Sequence, residues 1–362
     1  MNEKCSGSKL MQTAMTGNTD VWNDSCSQEE MLYALENGAV GATTNPVIVG
    51  EVLKKEMFLW KDRILELIKA IPEGSEEDIA WKLNEEMALK GANLLKPVFD
   101  RENKMKGRIS IQTNAKYYRN PDLLLKQSLH FNDLTPNIQV KIPVTKAGVK
   151  AIEEATFNGV NINATVCFTV SQALAVAEAV ERGLKRRSQQ DLDTSEMTPV
   201  CTIMVGRVDD WIKVVANRTN SPINPDYLEW CGIAVMKNAY NIFKQRGYKT
   251  RLLAAAYRNL MHWSEFVGAD MVLTIPHSWQ KKINESNVEV ETLIDRPVDS
   301  SILDKLLSEF DEFRKAYNHD GLTDDEFESY GATRRTLRAF LEGYEELLSM
   351  IRDLMLPNPD RG

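Results

Sequence analysis

Lys141 stands in the stretch "NIQVKIPVTKAG", residues 137 to 148, where Ile138, Val140, Ile142 and Pro143 surround it. On a strand, alternation puts Lys141 on the face of Gln139 and Pro143, opposite Val140 and Ile142. If that strand lies in a wide sheet, neither face meets water. A desolvated ammonium gives up its proton more readily, and a lysine then becomes a nucleophile near neutral pH. The ordinary alternative is a strand-end lysine whose amine reaches back to solvent. Other apolar runs end in groups that complement an amine: Asp24, then Thr43, Thr44 and Asn45, then Gln112, then Asn163 and Thr165, then Thr202, Arg207 and Arg258. Singly, each has a plain reading: Asp24 could cap a turn, Asn45-Pro46 could be one, and Asn163 could be a satisfied core amide. Together they supply one reactive amine, one carboxylate, several amides and hydroxyls, and two guanidiniums.

That set suits Schiff-base chemistry on a phosphorylated sugar. Lys141 would attack a ketose carbonyl, and the iminium would draw electrons from the neighbouring carbon–carbon bond. Asp24 would take the proton that starts the cleavage and return it in the reverse addition. Asn45 and Asn163 would hold substrate hydroxyls, and Arg207 and Arg258 would grip the phosphate. The iminium does the work of a Lewis acid, so this chemistry calls for no metal and no cofactor. His130, His262, His277 and His319 fall in predicted helices or loops. Of these, His277, after the last strand, is the one marginal candidate.

Positioning these groups requires strand ends that converge. Eight β-rich runs alternate with helical patterns from about residue 19 to 280: "TDVWND", "GATTN", "RISIQT", "IQVKIP", "NINATVCF", "PVCTIMVG", "TRLLAAAYR" and "ADMVLTIP". Eight such units in one domain predict a (β/α)8 TIM-type barrel, whose active sites form at the C-terminal ends of the strands. A doubly wound sheet competes, but no G-x-G-x-x-G follows the first strand and there is no P-loop. Ser27 and Glu30 suggest a capping box for "QEEMLYALENG", which Asn37-Gly38 stops. Helices "KAGVKAIEEATFNG" and "SQALAVAEAVERG" are expected to end at Asn158-Gly159 and Gly183. "KRRSQQDLDTSEMT" reads as a loop before the sixth strand. Residues 1–18 form an N-terminal extension, 19–280 the barrel, and 281–362 a helical extension packed on it. In the last helix Leu337, Phe340, Leu341, Tyr344, Leu348 and Ile351 make one apolar stripe. A homodimer interface would carry the same stripe.

The bulk properties narrow the class. The chain has 362 residues, 43% of them apolar, and a net charge of −8. Interspersed charges argue against a nucleic-acid partner. Cys5, Cys26, Cys167, Cys201 and Cys231 are odd in number and lack C-x-x-C spacing, so they read as reduced thiols rather than disulfides or metal ligands. Without a membrane-length apolar run or a signal-peptide pattern, the expected setting is the cytoplasm, away from membranes.

Five segments, "GATTNP", "VKIPVTKAG", "VNINATVCFTVSQALA", "VGRVDDW" and "YKTRLLAAAYRN", resemble the transaldolase family of class I aldolases, in its order. The C-terminal "ESYGATRRTLRAFLEGYEELLSMI" is more loosely similar to the helical end of the family's longer bacterial forms. The resemblance implies a barrel with the Schiff-base lysine on the fourth strand, at Lys141, and Asp24 as acid/base. It also implies that Asn45 and Asn163 contact a dihydroxyacetone unit and that Arg207 and Arg258 bind phosphate. Thr43, Thr202 and Met204 complete the implied substrate set. The implied reaction moves that three-carbon unit from sedoheptulose 7-phosphate or fructose 6-phosphate to an aldose phosphate, in the pentose phosphate pathway, without a cofactor. Three positions depart from the pattern. Gln112 replaces a glutamate that orients the catalytic water through Thr165, and is similar to the fructose-6-phosphate aldolases of the same superfamily. Met204 stands where an aromatic residue is usual, and Ala256 where a serine is. An aldolase that releases its donor unit, a relative acting on another sugar, and a non-catalytic sugar-phosphate-binding barrel remain as alternatives.

Overall fold

A computed structural model describes residues 7–360; Cys5 lies outside them. Eight parallel strands close into one barrel in sequence order: β1 (Asp20–Asn23), β2 (Gly41–Thr43), β3 (Arg108–Gln112), β4 (Ile138–Pro143), β5 (Ile162–Cys167), β6 (Val200–Ile203), β7 (Arg251–Ala254) and β8 (Met271–Ile275). Every predicted strand is present, and the closing pair is β1 with β8. The chain is therefore a (β/α)8 barrel with additional helices. "TRLLAAAYR" is strand only as far as Ala254. Ala256, with φ of 67°, turns the backbone out of the sheet.

The barrel interior is layered. At the N-terminal ends of the strands it is charged, with the buried Asp20 pairing with Arg251 at 2.5 Å and Lys106 at 2.7 Å, and next to these Trp22, Val200, Leu253 and Val272 pack together. One step up, buried polar residues meet across strands. Thr202 donates to Asn163 Oδ1 at 2.6 Å, Asn163 Nδ2 to Ser110 Oγ at 2.9 Å, Ser110 to Gln139 Oε1 at 3.1 Å, and Gln139 Nε2 to the Thr198 carbonyl at 2.9 Å. This chain satisfies groups that would otherwise cost several kcal/mol, about 1–3 each, to leave unpaired away from water. Outside the sheet, Val140, Ile142, Ile162 and Ala164 face the helices in the main core.

The helices largely follow their sequence signals. Gln28–Glu36 starts at Ser27, which accepts the Glu30 N–H at 3.4 Å, while the Glu30 carboxylate faces Lys55. Lys146–Phe157 ends at Asn158, and Gly159 follows at φ 88°. Gly183 does not end its helix, which runs Val170–Ser188. The residue is needed for contact instead: a Cβ there would stand 2.7 Å from the Glu153 carbonyl oxygen and 2.8 Å from Thr156 Cβ. The same helix takes in "KRRS", so only the rest of that polar segment is loop.

Two long helices, Pro46–Ala70 and Glu76–Arg101, fill the connection between β2 and β3. They form a second core with the C-terminal helix Gly331–Met355, through Val49, Leu53, Trp60, Ile64, Leu83, Tyr344, Leu348 and Ile351. The predicted stripe is buried at Leu337, Phe340, Tyr344, Leu348 and Ile351 and half-buried at Leu341. Trp81 Nε1 donates to Tyr344 Oη at 3.0 Å, and Arg352 pairs with Glu76 at 2.6 Å. No helix among the described residues is long and apolar enough to cross a membrane.

Gly183→Ala tests the close helix contact. Alanine gains about 1 kcal/mol of helix propensity, whereas overpacking against a backbone carbonyl costs roughly 1–3 kcal/mol. The variant should therefore unfold at a lower urea concentration than the parent despite its better helix former.

Candidate active site

Alternation along β4 sends Gln139 and Lys141 inward. Lys141 is 5% exposed and pairs in register with Gln112 on β3 and Asn163 on β5. Burial pushes its amine below the ordinary lysine range, and the nearby Asp24 charge only partly restores it. Asp24 follows β1, and its N–H donates to the Ile275 carbonyl of β8 at 3.2 Å. Burial raises its carboxyl, against the opposing pull of Lys141, Thr43 and Arg207. The Thr43 hydroxyl donates to Asp24 Oδ1 at 2.6 Å and so accepts from Thr274, 2.7 Å away. This two-step relay from β8 through β2 fixes the carboxylate.

Thr165 reaches the same interior by alternation from Asn163 along β5, and the strand bulges directly after it. Between β5 and β6 the register shifts from Ala164 to Cys167, and Val166 in the bulge has φ of 58°. A β-branched residue at positive φ is strained, and strain of this kind collects where a side chain has to be aimed. Thr165 is 2% exposed, opposite Pro143. Gln112 is also buried, and its Oε1 has no hydrogen-bond partner among the described residues.

Two expected substrate contacts have protein partners already. Asn163 is held on both sides of its amide by Thr202 and Ser110. Asn45 caps the helix Pro46–Ala70, its Oδ1 accepting the Ile48 N–H at 3.0 Å. Met204, nearly buried, precedes the helix Val205–Arg218 and gives it no side-chain cap. Arg207, on the first turn of that helix, feels Arg258 and Arg335 as like charges. Arg258 reaches Asp210 at 2.7 Å. Three guanidiniums thus face two nearby carboxylates, Asp210 and Asp24, a surplus of positive charge suited to a multiply charged anion.

Several of these partners carried no sequence signal. Arg335 and Thr336 come from the C-terminal helix, more than a hundred residues from Arg207, yet Arg207 Nη1 donates to Thr336 Oγ1 at 3.2 Å. That guanidinium also lies 5.6 Å from the Phe340 ring. His262 is fully buried, where the helical context of its sequence gave it no role. Its Nδ1 accepts the Arg258 N–H at 3.0 Å, which leaves Nε2 to donate to Asp209 at 2.8 Å; Asp209 in turn accepts the Gly232 N–H at 2.7 Å. The last of these acceptors stands in "VGRVDDW", two residues after the predicted site residue Arg207. His277 instead packs edge-on against Tyr33, with ring centroids 4.8 Å apart. Among the described residues no three His, Cys, Asp or Glu side chains gather as metal ligands.

Amine labelling of Lys141 followed by mass spectrometry tests the electrostatics. Its rate should rise with pH to a midpoint below the ordinary 10.5. Because the Asp24 charge raises the lysine, Asp24→Asn should move that midpoint further down. A parent midpoint at or above 10.5 would contradict the effect of burial.

Residues 21–351 match the family described as Transaldolase/Fructose-6-phosphate aldolase. The chain is 26% identical to Transaldolase 2 of Streptomyces avermitilis over 270 residues, covering 66% of this chain and 69% of that one. It is 26% identical to a transaldolase of Schizosaccharomyces pombe over 292 residues, covering 77% and 81%. A Campylobacter jejuni transaldolase is 31% identical over 214 residues, covering 56% and 64%. A barrel of this topology and a match over nearly its whole length make the chain a member of the transaldolase/fructose-6-phosphate aldolase family and an enzyme of the transaldolase class.

Proposed function

We propose that this enzyme transfers a dihydroxyacetone unit from a ketose phosphate to an aldose phosphate through a Schiff base on Lys141. The observation that carries the reading is the buried Lys141, whose amine burial holds below its ordinary range with Asp24 as the opposing charge. The neutral amine adds to the ketose carbonyl, and loss of water gives the iminium. Asp24 removes the proton of the hydroxyl beyond the scissile bond. That bond's electron pair moves into the iminium, leaving an enamine on Lys141 and releasing an aldose. The enamine then attacks the acceptor aldehyde, Asp24 returns the proton, and water frees the product. Its raised carboxyl suits Asp24 to carrying a proton both ways.

The remaining roles follow from position. The unpartnered Gln112 Oε1 accepts from the water that Thr165 orients, without sharing its proton as a carboxylate would. Asn45, Asn163, Thr43, Thr202 and Met204 line the donor and acceptor positions. Arg207 and Arg258 take the phosphate, an arrangement supported by the surplus of positive charge around them.

Borohydride trapping with fructose 6-phosphate, read by intact mass and peptide mapping, tests the reading. A three-carbon adduct on Lys141 is expected, to be lost on adding erythrose 4-phosphate as sedoheptulose 7-phosphate forms. Accumulation of free dihydroxyacetone would favour simple aldol cleavage, the reading that Gln112 supports. No adduct on Lys141 would count against both. Ala256→Ser, which returns a hydroxyl beside the phosphate position, should lower KM for the phosphorylated donor about fivefold, the worth of a hydrogen bond of about 1 kcal/mol.

A further inference from the structure

Tyr257 follows β7 directly before Arg258, and neither its spacing nor its type marked it for chemistry. It is 3% exposed, and its hydroxyl has no hydrogen-bond partner among the described residues. A buried phenol normally finds a partner, so an orphan one needs a reason. Its position supplies one. Ala254 on β7 pairs with Leu273 on β8, and Ile275 on β8 pairs with Asn23 on β1. Tyr257 and Asp24 therefore leave the barrel at the same rim, with only β8 between their strands.

The segment carrying Tyr257 is held hard. A Cβ on Gly206 would come within 2.0 Å of the Ala256 carbonyl oxygen, so only glycine lets the start of the helix Val205–Arg218 pack against this turn. Ala256 adopts φ 67°, and the Arg258 N–H is fastened to the buried His262 and Asp209 pair. The ring packs near His262 and Trp279, with centroids 6.3 and 6.5 Å away. Folding thus fixes a hydroxyl that has no hydrogen-bond partner among the described residues.

We propose that the Tyr257 hydroxyl donates a hydrogen bond to the substrate oxygen that Asp24 deprotonates, which makes Tyr257 a further catalytic residue. The assignment rests on the Schiff-base reading above. As Asp24 takes the proton, negative charge grows on that oxygen while it becomes the aldehyde carbonyl of the leaving aldose. A fixed donor placed there stabilises the charge as it develops, at no cost in reorganisation. Burial and the Asp24 charge both keep the phenol protonated, far above its usual range, so Tyr257 acts as a donor rather than a base. Met204, which brings no hydroxyl to the pocket, cannot do this.

Tyr257→Phe keeps the ring and removes only the hydroxyl. Imine formation does not need that hydroxyl, whereas cleavage does. Turnover should fall on the order of 100-fold, the effect of losing one such donor, and borohydride should trap the intact six-carbon ketose on Lys141 in place of the three-carbon fragment. The thermal midpoint should hold or rise, because the lost group had no partner. Turnover within threefold of the parent with the three-carbon adduct unchanged would overturn the assignment. So would a lower midpoint with both adducts diminished, which would assign the hydroxyl a structural part. If the parent itself gives no adduct on Lys141, the Schiff-base reading fails first and the role of Tyr257 falls with it.

Discussion

Removing an ammonium from water disfavours its charge, and the arrangement around Lys141 answers to that constraint. The closed sheet leaves this side chain nowhere to go but inward, where burial outweighs the one opposing charge, Asp24. The carboxylate meets the reverse problem: burial raises it, and Thr43 and Arg207 restrain it. Two groups that would each be costly to hide alone are hidden together, each biased toward exchanging a proton. The hydrogen-bonded run from Thr202 through Asn163, Ser110 and Gln139 to Thr198 keeps the layer beneath them satisfied. With that layer saturated, the unpaired polar atoms above it stand out, and Gln112 Oε1 and the Tyr257 hydroxyl are among them.

Beyond the barrel, rigidity comes from a second set of contacts. The Asp209 and His262 pair fastens the backbone of Arg258, and Asp210 faces its guanidinium. The C-terminal helix packs on the two long helices after β2 and brings Thr336 to Arg207. The C-terminal segment is thus joined to Arg207 as well as to the core. Its apolar stripe is used within the chain.

The fold was legible because its signals are local and repeated. Eight apolar runs with alternating side chains separated by 3.6-periodic segments leave few architectures open. That Lys141, Asp24, Thr43, Gln112, Thr165, Arg207 and Arg258 stand at or just beyond the strand ends was legible for the same reason, since strand ends in a barrel converge whatever the loops do. Gly183 was misread as a helix stop because local propensity cannot reveal that another helix's carbonyl lies 2.7 Å from its missing Cβ. Asn163 could be read either as a satisfied core amide or as a substrate contact, because its partners Ser110 and Thr202 lie on other strands, β3 and β6, where local pattern does not reach.

The sequence by itself determined the periodicities, hence the barrel, the inward face of β4 and the strand ends that could carry chemistry. Only the tertiary structure decided which polar groups are satisfied and which are not. That depends on atoms brought together across large separations, such as Arg207 with Thr336 and Arg258 with Asp210. Alternation names the face on which a side chain stands, but hydrogen bonds and desolvation depend on distances of a few ångströms, which closing the barrel sets.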